Sequence, residues 1–340
     1  KEDTTSDGII PSYNFSKAKT IVSVGADFLG TWLTPTVFQG QYAETRNPDG
    51  EWMSKHFQFE TGMTVTGSNA DERAMIKPSE QAKVLAYMLS KFGVNTDVDT
   101  KLSEKEAVKV ANNAVRALKH SKNESLVVAS SNNKAVQLLV NKLNSVVGAY
   151  RTTINVNNPI MMFASEDDKM SKLVADVISG KGPKAILFYG VNPVYTLANG
   201  KEFAKGLAGT DLSVSFSAFA DETATLCKFI TPDHHALESW NDYNPVMNHY
   251  GIAQPTIRPL FNTASAQESM MVWAGQASRG GKDSKVFYNL IKSNWETFGF
   301  PQQTEYTEVG TYWNMMVHNS CSDMPEAEAT APPFKVSLTS

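Results

Sequence analysis

The scarcity of cysteine excludes several kinds of metal site. The 340-residue chain has two cysteines, Cys227 and Cys321, which are too few for a four-cysteine iron–sulfur cluster or a zinc ribbon. They are far apart in the sequence, and a disulfide between them needs a close approach of their Cα atoms that sequence does not show. Two buried thiols are the simpler expectation, and the pairing stays open.

Long apolar runs and an excess of basic charge are also missing. The longest apolar runs, at residues 126–129 and 185–189, fall far short of the roughly 20 residues that a membrane-spanning helix needs. We therefore expect no direct membrane span. The chain shows no secretory leader, so an export signal is either absent or already removed. A formal net charge of -4 without a basic stripe argues against nucleic acid as a partner.

One short pattern occurs twice, at residues 21–27 and 186–192. Each copy is a short apolar run that ends in Gly, one further residue, and Asp or Asn. Such a run is too short for a helix and fits a strand buried between two helical layers. At the carboxyl end of such a strand, Gly lets a ligand or another backbone approach closely. The repeat predicts two related α/β lobes.

Strands and amphipathic helices alternate along the chain. Periodicity predicts strands at residues 20–25, 125–130, 152–156, 185–190 and 212–216. It predicts helices at residues 79–91, 103–119, 132–147, 169–179, 201–207, 266–276 and 284–298. This alternation indicates the α/β class, with two doubly wound, Rossmann-like lobes of mainly parallel strands.

The chain is expected to divide into three parts. The predicted parts are a first α/β lobe at residues 1–125 with an irregular insertion at 47–75, a second lobe at 126–275 with its strand end at Gly190, and peripheral helices and a tether at 276–340. The insertion is rich in Gly, Asn, Asp and Thr, which predicts a loop with a short strand near 57–60. The Ala-, Glu- and Pro-rich segment 326–333 is typical of a tether towards a further domain.

The segment at residues 183–261 carries a family resemblance. A strand ends in Gly-x-Asn-Pro at 190–193, a second strand precedes Asp-Glu-Thr-Ala at 221–224, and Glu238 opens the segment after a third strand. This order resembles the molybdopterin oxidoreductase family, whose other strand end is similar to residues 19–32. The resemblance implies that family's α/β fold.

One branch of that family is most similar. The strings Trp-Asn-Asp at 240–242 and Gln-Pro-Thr-Ile-Arg-Pro-Leu-Phe at 254–261 resemble the large iron–sulfur subunit (ActB) of alternative complex III, a membrane quinol oxidoreductase. The resemblance covers most of residues 12–275 and implies a domain without molybdenum cofactor. It implies export to the periplasmic face of the bacterial cytoplasmic membrane, with iron–sulfur clusters and haem c in other domains or subunits. The implied partners include cytochrome c and integral membrane quinol-binding subunits.

The cofactor site of an active relative has no clear counterpart here. Active relatives hold molybdenum between two pyranopterin dithiolenes and usually add a Ser, Cys or selenocysteine ligand from a loop before the first strand end. Little chain precedes that strand here, and Ser12 and Ser16 carry no recognisable ligand motif. Four bulky residues that would fill such a site follow the first strand end: Phe28, Leu29, Trp32 and Leu33. We expect no cofactor, no catalytic residue and no metal in this chain.

Two interpretations remain open for the strand ends. The candidates for a vestigial cleft are Gly25, Asp27, Gly190, Asn192 and Asp221. They either still bind a nucleotide-like ligand, since the wider family uses such strand ends for guanine groups, or only shape turns. The preference of Gly, Asp and Asn for tight turns favours the second interpretation.

The adjacent His234 and His235, with Glu238 three residues beyond, invite a metal hypothesis. Neighbouring histidines point in different directions on any regular element, and His235 with Glu238 supplies two ligands where about four are usual. The sequence favours a histidine that bonds to neighbouring backbone and a glutamate that supports the following loop.

A loop-rich segment holds the candidates for contact with partners. They are Trp240, Tyr243, His249, Tyr250 and Arg258. Aromatic residues and arginine are enriched where proteins meet, but core packing is the favoured interpretation for most of the aromatics.

The sequence favours a cofactor-free scaffold in a respiratory quinol complex. The alternatives are a fragment of a working molybdenum oxidoreductase and a free-standing nucleotide-binding module.

Overall fold

The computed structural model describes residues 10–163, 166–281 and 284–325, together with residues 328, 330, 334 and 338. The chain divides into two compact units. Unit 1 comprises Lys1–Phe163 with Glu326–Ser340, and unit 2 comprises Ala164–Pro325. Within the described ranges, no helix is both long and apolar enough to cross a membrane. The predicted three-part division stays a prediction, and most of the predicted tether at 326–333 lies outside the described residues.

Unit 1 alternates strands and helices. Its strands are β1 (Ile10–Tyr13), β2 (Thr20–Val24), β3 (Lys55–Glu60), β4 (Glu72–Met75), β5 (Ser125–Ala129) and β6 (Ile154–Ile160). Its helices are α1 (Pro35–Glu44), α2 (Val65–Ser68), α3 (Gln81–Ser90), α4 (Lys105–His120) and α5 (Lys134–Val147). Strands β1 and β6 form an antiparallel pair.

A parallel four-stranded sheet in the order β4-β3-β2-β5 forms the centre of unit 1. Val22 of β2 lies between Phe57 of β3 and Val127 of β5. Every residue of β2 and β5 is buried, because both strands are largely apolar and are covered on both faces. The chain passes from β2 to β3 and β4 on one side and returns to β5 on the other. The strand order therefore reverses between β2 and β5, and open α/β sheets bind ligands at such a switch point.

Helix α5 shows how side chains fix this arrangement. It begins after Asn133, whose side chain accepts a hydrogen bond from the Ala135 amide, and it ends at Gly148 with a φ of 78°. Its buried Asn144 donates to the Val127 carbonyl at 2.8 Å and accepts from the Val127 amide at 2.9 Å. This amide side chain satisfies backbone groups on the outer edge of β5, where no further strand of the sheet pairs.

Unit 2 begins with a second parallel sheet and continues with antiparallel strands. Its strands are β7 (Ala185–Phe188), β8 (Leu212–Ser215), β9 (Phe229–Ile230), β10 (Asn241–Val246), β11 (His249–Ala253) and β12 (Cys321–Asp323). Its helices are α6 (Asp167–Ile178), α7 (Pro193–Thr196), α8 (Gly200–Leu207), α9 (Ala266–Trp273), α10 (Val286–Asn294) and α11 (Val309–Asn319).

Two hydrophobic clusters stabilise unit 2. The parallel strands follow the order β7-β8-β9, and one cluster joins β7 to helices α6 and α8 through Phe188, Val174, Val177, Phe203 and Leu207. The antiparallel strands β10, β11 and β12 pair in that order. The second cluster is rich in aromatic residues and consists of Ile252, Ile291, Trp295, Tyr312, Trp313 and Met316.

The parallel sheets confirm the predicted α/β class. The prediction of a loop with one short strand at residues 47–75 is incomplete. Helix α2 and strand β4 lie there in addition to the expected strand β3. Strand β4 is a short edge strand whose charged residues pair with β3: Glu72 with Lys55 at 3.0 Å, and Arg73 with Glu60 at 2.6 Å. Its sequence therefore lacks the apolar run that identifies a central strand. Helix α1 and the sheet of β10, β11 and β12 were not predicted.

Candidate functional site at the strand ends

Side chains of unit 1 close the end of β2 at the switch point. Gly25 has a φ of 71°, its amide donates to the Phe59 carbonyl at 2.7 Å, and its carbonyl accepts from Ser130 Oγ at 2.6 Å. A Cβ atom added at Gly25 would lie 2.8 Å from Gln81 Nε2 and 3.3 Å from Ser130 Oγ. The amide of Gln81, at the start of α3, therefore occupies the space beside the glycine.

Asp27 holds its own turn rather than facing an open cleft. Its Oδ1 accepts from the amide of Thr66 at 3.1 Å and from the Thr66 hydroxyl at 2.7 Å. Its carbonyl oxygen accepts from the amides of Gly30, Thr31 and Trp32 at 3.0, 2.8 and 2.9 Å. The carboxylate thus ties the loop after β2 to helix α2 within unit 1.

The bulky residues after this strand end pack inside unit 1. Phe28 is 0% exposed and Leu29 is 7% exposed. The Phe28 ring stacks on Phe15 with a centroid distance of 4.3 Å. Trp32 is half-buried, with its ring 5.2 Å from that of Tyr13. These residues contribute to the core of unit 1.

The residues at this strand end do not fit the metal-bearing cofactor of the wider family. Its phosphate arms call for free backbone amides, cations and open glycine turns, whereas Gly25 is bonded within the unit and has Gln81 against it. Ser12 and Ser16 use their hydroxyls in hydrogen bonds of 3.3 and 2.7 Å within unit 1. In the part of the chain that the structure describes, no group of three or more His, Cys, Asp or Glu side chains is arranged to hold a metal ion.

A row of buried polar side chains lies on one face of β3. His56, Gln58 and Glu60 are 0%, 0% and 2% exposed. His56 Nε2 is 3.3 Å from Gln58 Oε1, and Gln58 Nε2 donates to Glu60 Oε2 at 3.2 Å. The Tyr42 hydroxyl lies 3.3 Å from His56 Nδ1 at one end, and Arg73 pairs with Glu60 at the other. This row was not predicted, although polar residues at every second position are the signature of one strand face.

Burial and hydrogen bonds shift the pKa values along this row. Burial lowers the pKa of His56 to about 4 and raises the pKa of Tyr42 to about 12. Burial opposes ionisation of Glu60, but hydrogen bonds from Arg73, Thr64 and Gln58 outweigh it and leave the pKa below its ordinary value. At neutral pH the row therefore holds a neutral imidazole, a neutral phenol and a paired carboxylate.

The strand end of unit 2 forms a separate hydrogen-bond network. Asn192 Nδ2 donates to Glu222 Oε2 at 2.7 Å, and Asn192 Oδ1 accepts from Thr223 Oγ1 at 2.7 Å. Asp221 Oδ1 accepts from the amides of Thr223 and the next residue at 3.0 and 2.8 Å. Burial opposes ionisation of Asp221, but these hydrogen bonds and one from a serine lower its pKa. An added Cβ at Gly190 would meet no atom within 4 Å.

The five cleft candidates thus fall into two groups. Gly25 and Asp27 lie in unit 1, whereas Gly190, Asn192 and Asp221 lie in unit 2. Asn192 and Asp221 are joined through Thr223, which bonds to both. The favoured interpretation, that the five residues only shape turns, stays a prediction, and ligand binding stays its alternative.

Two of the three residues in the metal hypothesis, His235 and Glu238, bond to backbone through their side chains. His235 Nδ1 accepts from the Leu237 amide at 3.2 Å. The Glu238 carboxylate accepts from the amides of His235 and Leu260, both at 2.9 Å, which lowers its pKa. The predicted roles, a histidine bonded to neighbouring backbone and a glutamate supporting the next loop, are confirmed.

The five partner-contact candidates differ in their surroundings. Trp240 and Tyr250 pack against the aromatic cluster of unit 2. Tyr243 is 52% exposed, Arg258 is exposed, and His249 pairs with Asp323 between β11 and β12. Trp240 and Tyr250 thus have a role in core packing. Contact of the five residues with a partner protein stays a prediction.

Both cysteines are free thiols. Cys227 is half-buried and Cys321 is exposed, so the expectation of two buried thiols is wrong for Cys321. The reason is its position on β12, a three-residue strand at the edge of the antiparallel sheet.

Comparison with known proteins adds three findings. No family model matches the chain. Over 305 residues the chain is 25% identical to the menaquinone reductase, molybdopterin-binding-like subunit, of Nitratidesulfovibrio vulgaris, a match that covers 78% of this chain and 44% of the relative. In structure it is similar to acetylene hydratase from Pelobacter acetylenicus, with a TM-score of 0.53 and 14% identity, over 95% of this chain and 54% of the other.

The chain therefore spans about half the length of the proteins that it matches. The structural match shows the fold alone, since unrelated functions share folds. The chain has a molybdopterin-oxidoreductase-type α/β fold and is similar in sequence to a molybdopterin-binding-like subunit of a menaquinone reductase.

Proposed function

We propose that this chain is a cofactor-free, molybdopterin-oxidoreductase-like scaffold of a membrane-bound respiratory quinone oxidoreductase. The sequence similarity to a subunit of a menaquinone reductase supports the quinone-linked part of the proposal. More specifically, we propose that the complex is alternative complex III and that the chain lies at the periplasmic face of the membrane. Its partners are then cytochrome c and integral membrane quinol-binding subunits.

The closed end of β2 is the observation that carries the scaffold role. Side chains from two other segments occupy this strand end, because Ser130 Oγ donates to the Gly25 carbonyl and the Gln81 amide lies against the glycine. Asp27 is likewise engaged by Thr66. These contacts hold the loop after β2 in one conformation at the place where a ligand would enter.

No residue of this chain carries a redox step in the proposal. Electrons pass from quinol through iron–sulfur clusters and haem c that other domains or subunits hold. The chain positions those parts through its surface, and its parallel sheets supply the rigid framework.

Metal analysis of the assembled complex tests the proposal. The complex would be isolated from native membranes through an affinity tag on this chain, and its molybdenum, tungsten and iron contents measured by plasma mass spectrometry. Extracted pterin would be measured by fluorescence after oxidation. We expect iron without molybdenum, tungsten or pterin. Stoichiometric molybdenum or tungsten with pterin would identify a working molybdenum-type enzyme and reject the scaffold.

A further inference from the structure

Two neighbouring cavities of unit 2 meet at one buried carboxylate. They measure about 250 and 260 Å³, and Glu268 of α9 lines both. Glu268 is 4% exposed, and its Oε1 accepts from the Gly280 amide at 3.0 Å. Among the described residues, no lysine, arginine or histidine forms an ion pair with it. A carboxylate buried to this extent is rarely left without a cation.

Two residues that line the larger cavity have polar atoms that lack partners. Ser239 Oγ and His234 Nε2 are shielded from solvent and have no hydrogen-bond partner among the described residues. Both residues line the 260 Å³ cavity together with Glu268, and Ser239 is 8% exposed. Polar atoms buried without a partner cost free energy, so a ligand group that bonds to them would stabilise this part of the unit.

Aromatic rings form another part of the same wall. Trp240 and Tyr288 line the cavity, and their ring centroids are 4.8 Å apart. Aromatic faces attract cations and also accommodate an apolar group. Two cationic residues, Arg258 and Lys285, line the cavity as well, but both are exposed, so water and salt screen their charge.

We propose that this cavity binds a small organic ammonium ion with an apolar body. Glu268 balances the charge, while Ser239 Oγ and His234 Nε2 accept hydrogen bonds from the ammonium group, which has several donors. The apolar body lies against Trp240 and Tyr288. A carboxylate ligand would instead face the buried charge of Glu268. The proposal does not depend on the scaffold function.

Calorimetric titration of the full chain with matched probes tests the assignment. The probes are phenethylammonium, 2-phenylethanol with nearly the same body and no charge, and phenylpropionate with the opposite charge. We expect saturable binding of phenethylammonium, at least about tenfold tighter than the alcohol, because a charged hydrogen bond contributes this much. Glu268→Gln keeps the shape and should weaken phenethylammonium about tenfold or more while leaving the alcohol unchanged. Glu202→Gln removes an exposed charge on α8 of the same unit and should change neither.

Several results would overturn the proposal. These are an absence of saturable phenethylammonium binding, equal affinities for the ammonium and the alcohol, tighter binding of phenylpropionate, and unchanged phenethylammonium binding in Glu268→Gln. The comparison of the three probes on the unmodified chain decides the question even where Glu268→Gln does not fold.

Discussion

His56 makes the stability of unit 1 depend on pH. Burial lowers its pKa from 6.5 to about 4 in the folded chain, so below pH 6.5 the unfolded chain binds a proton that the folded chain does not. The free energy of unfolding therefore falls as the pH drops through this range. The contribution of His56 to this fall ends near pH 4, where the folded chain also binds the proton. Between pH 7.5 and pH 5 the loss is about 2 kcal/mol.

The variant His56→Gln removes this titration and keeps a hydrogen-bonding side chain. Native-state hydrogen exchange of the β2 and β5 amides, read by mass spectrometry on the full chain, measures the free energy of unfolding of unit 1. We expect the unmodified chain to lose about 2 kcal/mol more than His56→Gln over this range. His120→Gln, at an exposed position of α4, should behave as the unmodified chain. The same pH dependence in His56→Gln and the unmodified chain would show that His56 is not its cause.

Two further predictions concern the strand ends and the thiols. Gly190→Ala and Gly25→Ala both place a side chain at positive φ, but only the second of this pair also meets Gln81, at 2.8 Å. By hydrogen exchange in each unit, we expect a loss of about 1 to 2 kcal/mol for Gly190→Ala and a somewhat larger loss for Gly25→Ala, because the end of the flexible Gln81 side chain must move aside. A smaller loss for Gly25→Ala than for Gly190→Ala would contradict the closed strand end. Maleimide should label Cys321 before Cys227, because Cys321 is exposed and burial raises the pKa of the Cys227 thiol. Equal labelling rates, or a disulfide under non-reducing conditions, would contradict the assignment of two unequal free thiols.

The parallel core was predictable because its sequence signal is local. Strands β2 and β5 are short, largely apolar runs that are buried on both faces. Such a run is typical of a central strand in a parallel sheet. The antiparallel strand β10 lacks such a signal, since its sequence Asn-Asp-Tyr-Asn-Pro-Val is mostly polar and its ladder depends on pairing with β11. Turn-forming residues in this segment favoured a loop, and tertiary pairing overrode that preference.

The candidate site was predictable in position but not in its contacts. Glycine, one further residue, and Asp or Asn mark each strand end, and these residues do lie at turns. The partners that close the first strand end are distant in sequence: Ser130 is 105 residues from Gly25, and Thr66 is 39 residues from Asp27. Only folding brings such partners together.

The buried row on β3 had a readable signal that composition obscured. Polar residues alternate with Phe57 and Phe59, as expected for a strand with one polar face. The surrounding segment is rich in Gly, Asn and Thr, which favoured a loop. Burial of His56 could not be predicted, because it depends on packing against Phe28 and Tyr42.

Density at the end of β2 in the assembled complex decides whether this strand end is closed. A cryo-electron microscopy map of the complex purified from native membranes would resolve the side chains around Gly25. We expect Gln81 against the glycine and the Asp27 carboxylate bonded to Thr66. A dithiolene or nucleotide ligand at this strand end, with the Gln81 amide displaced from the glycine, would contradict it.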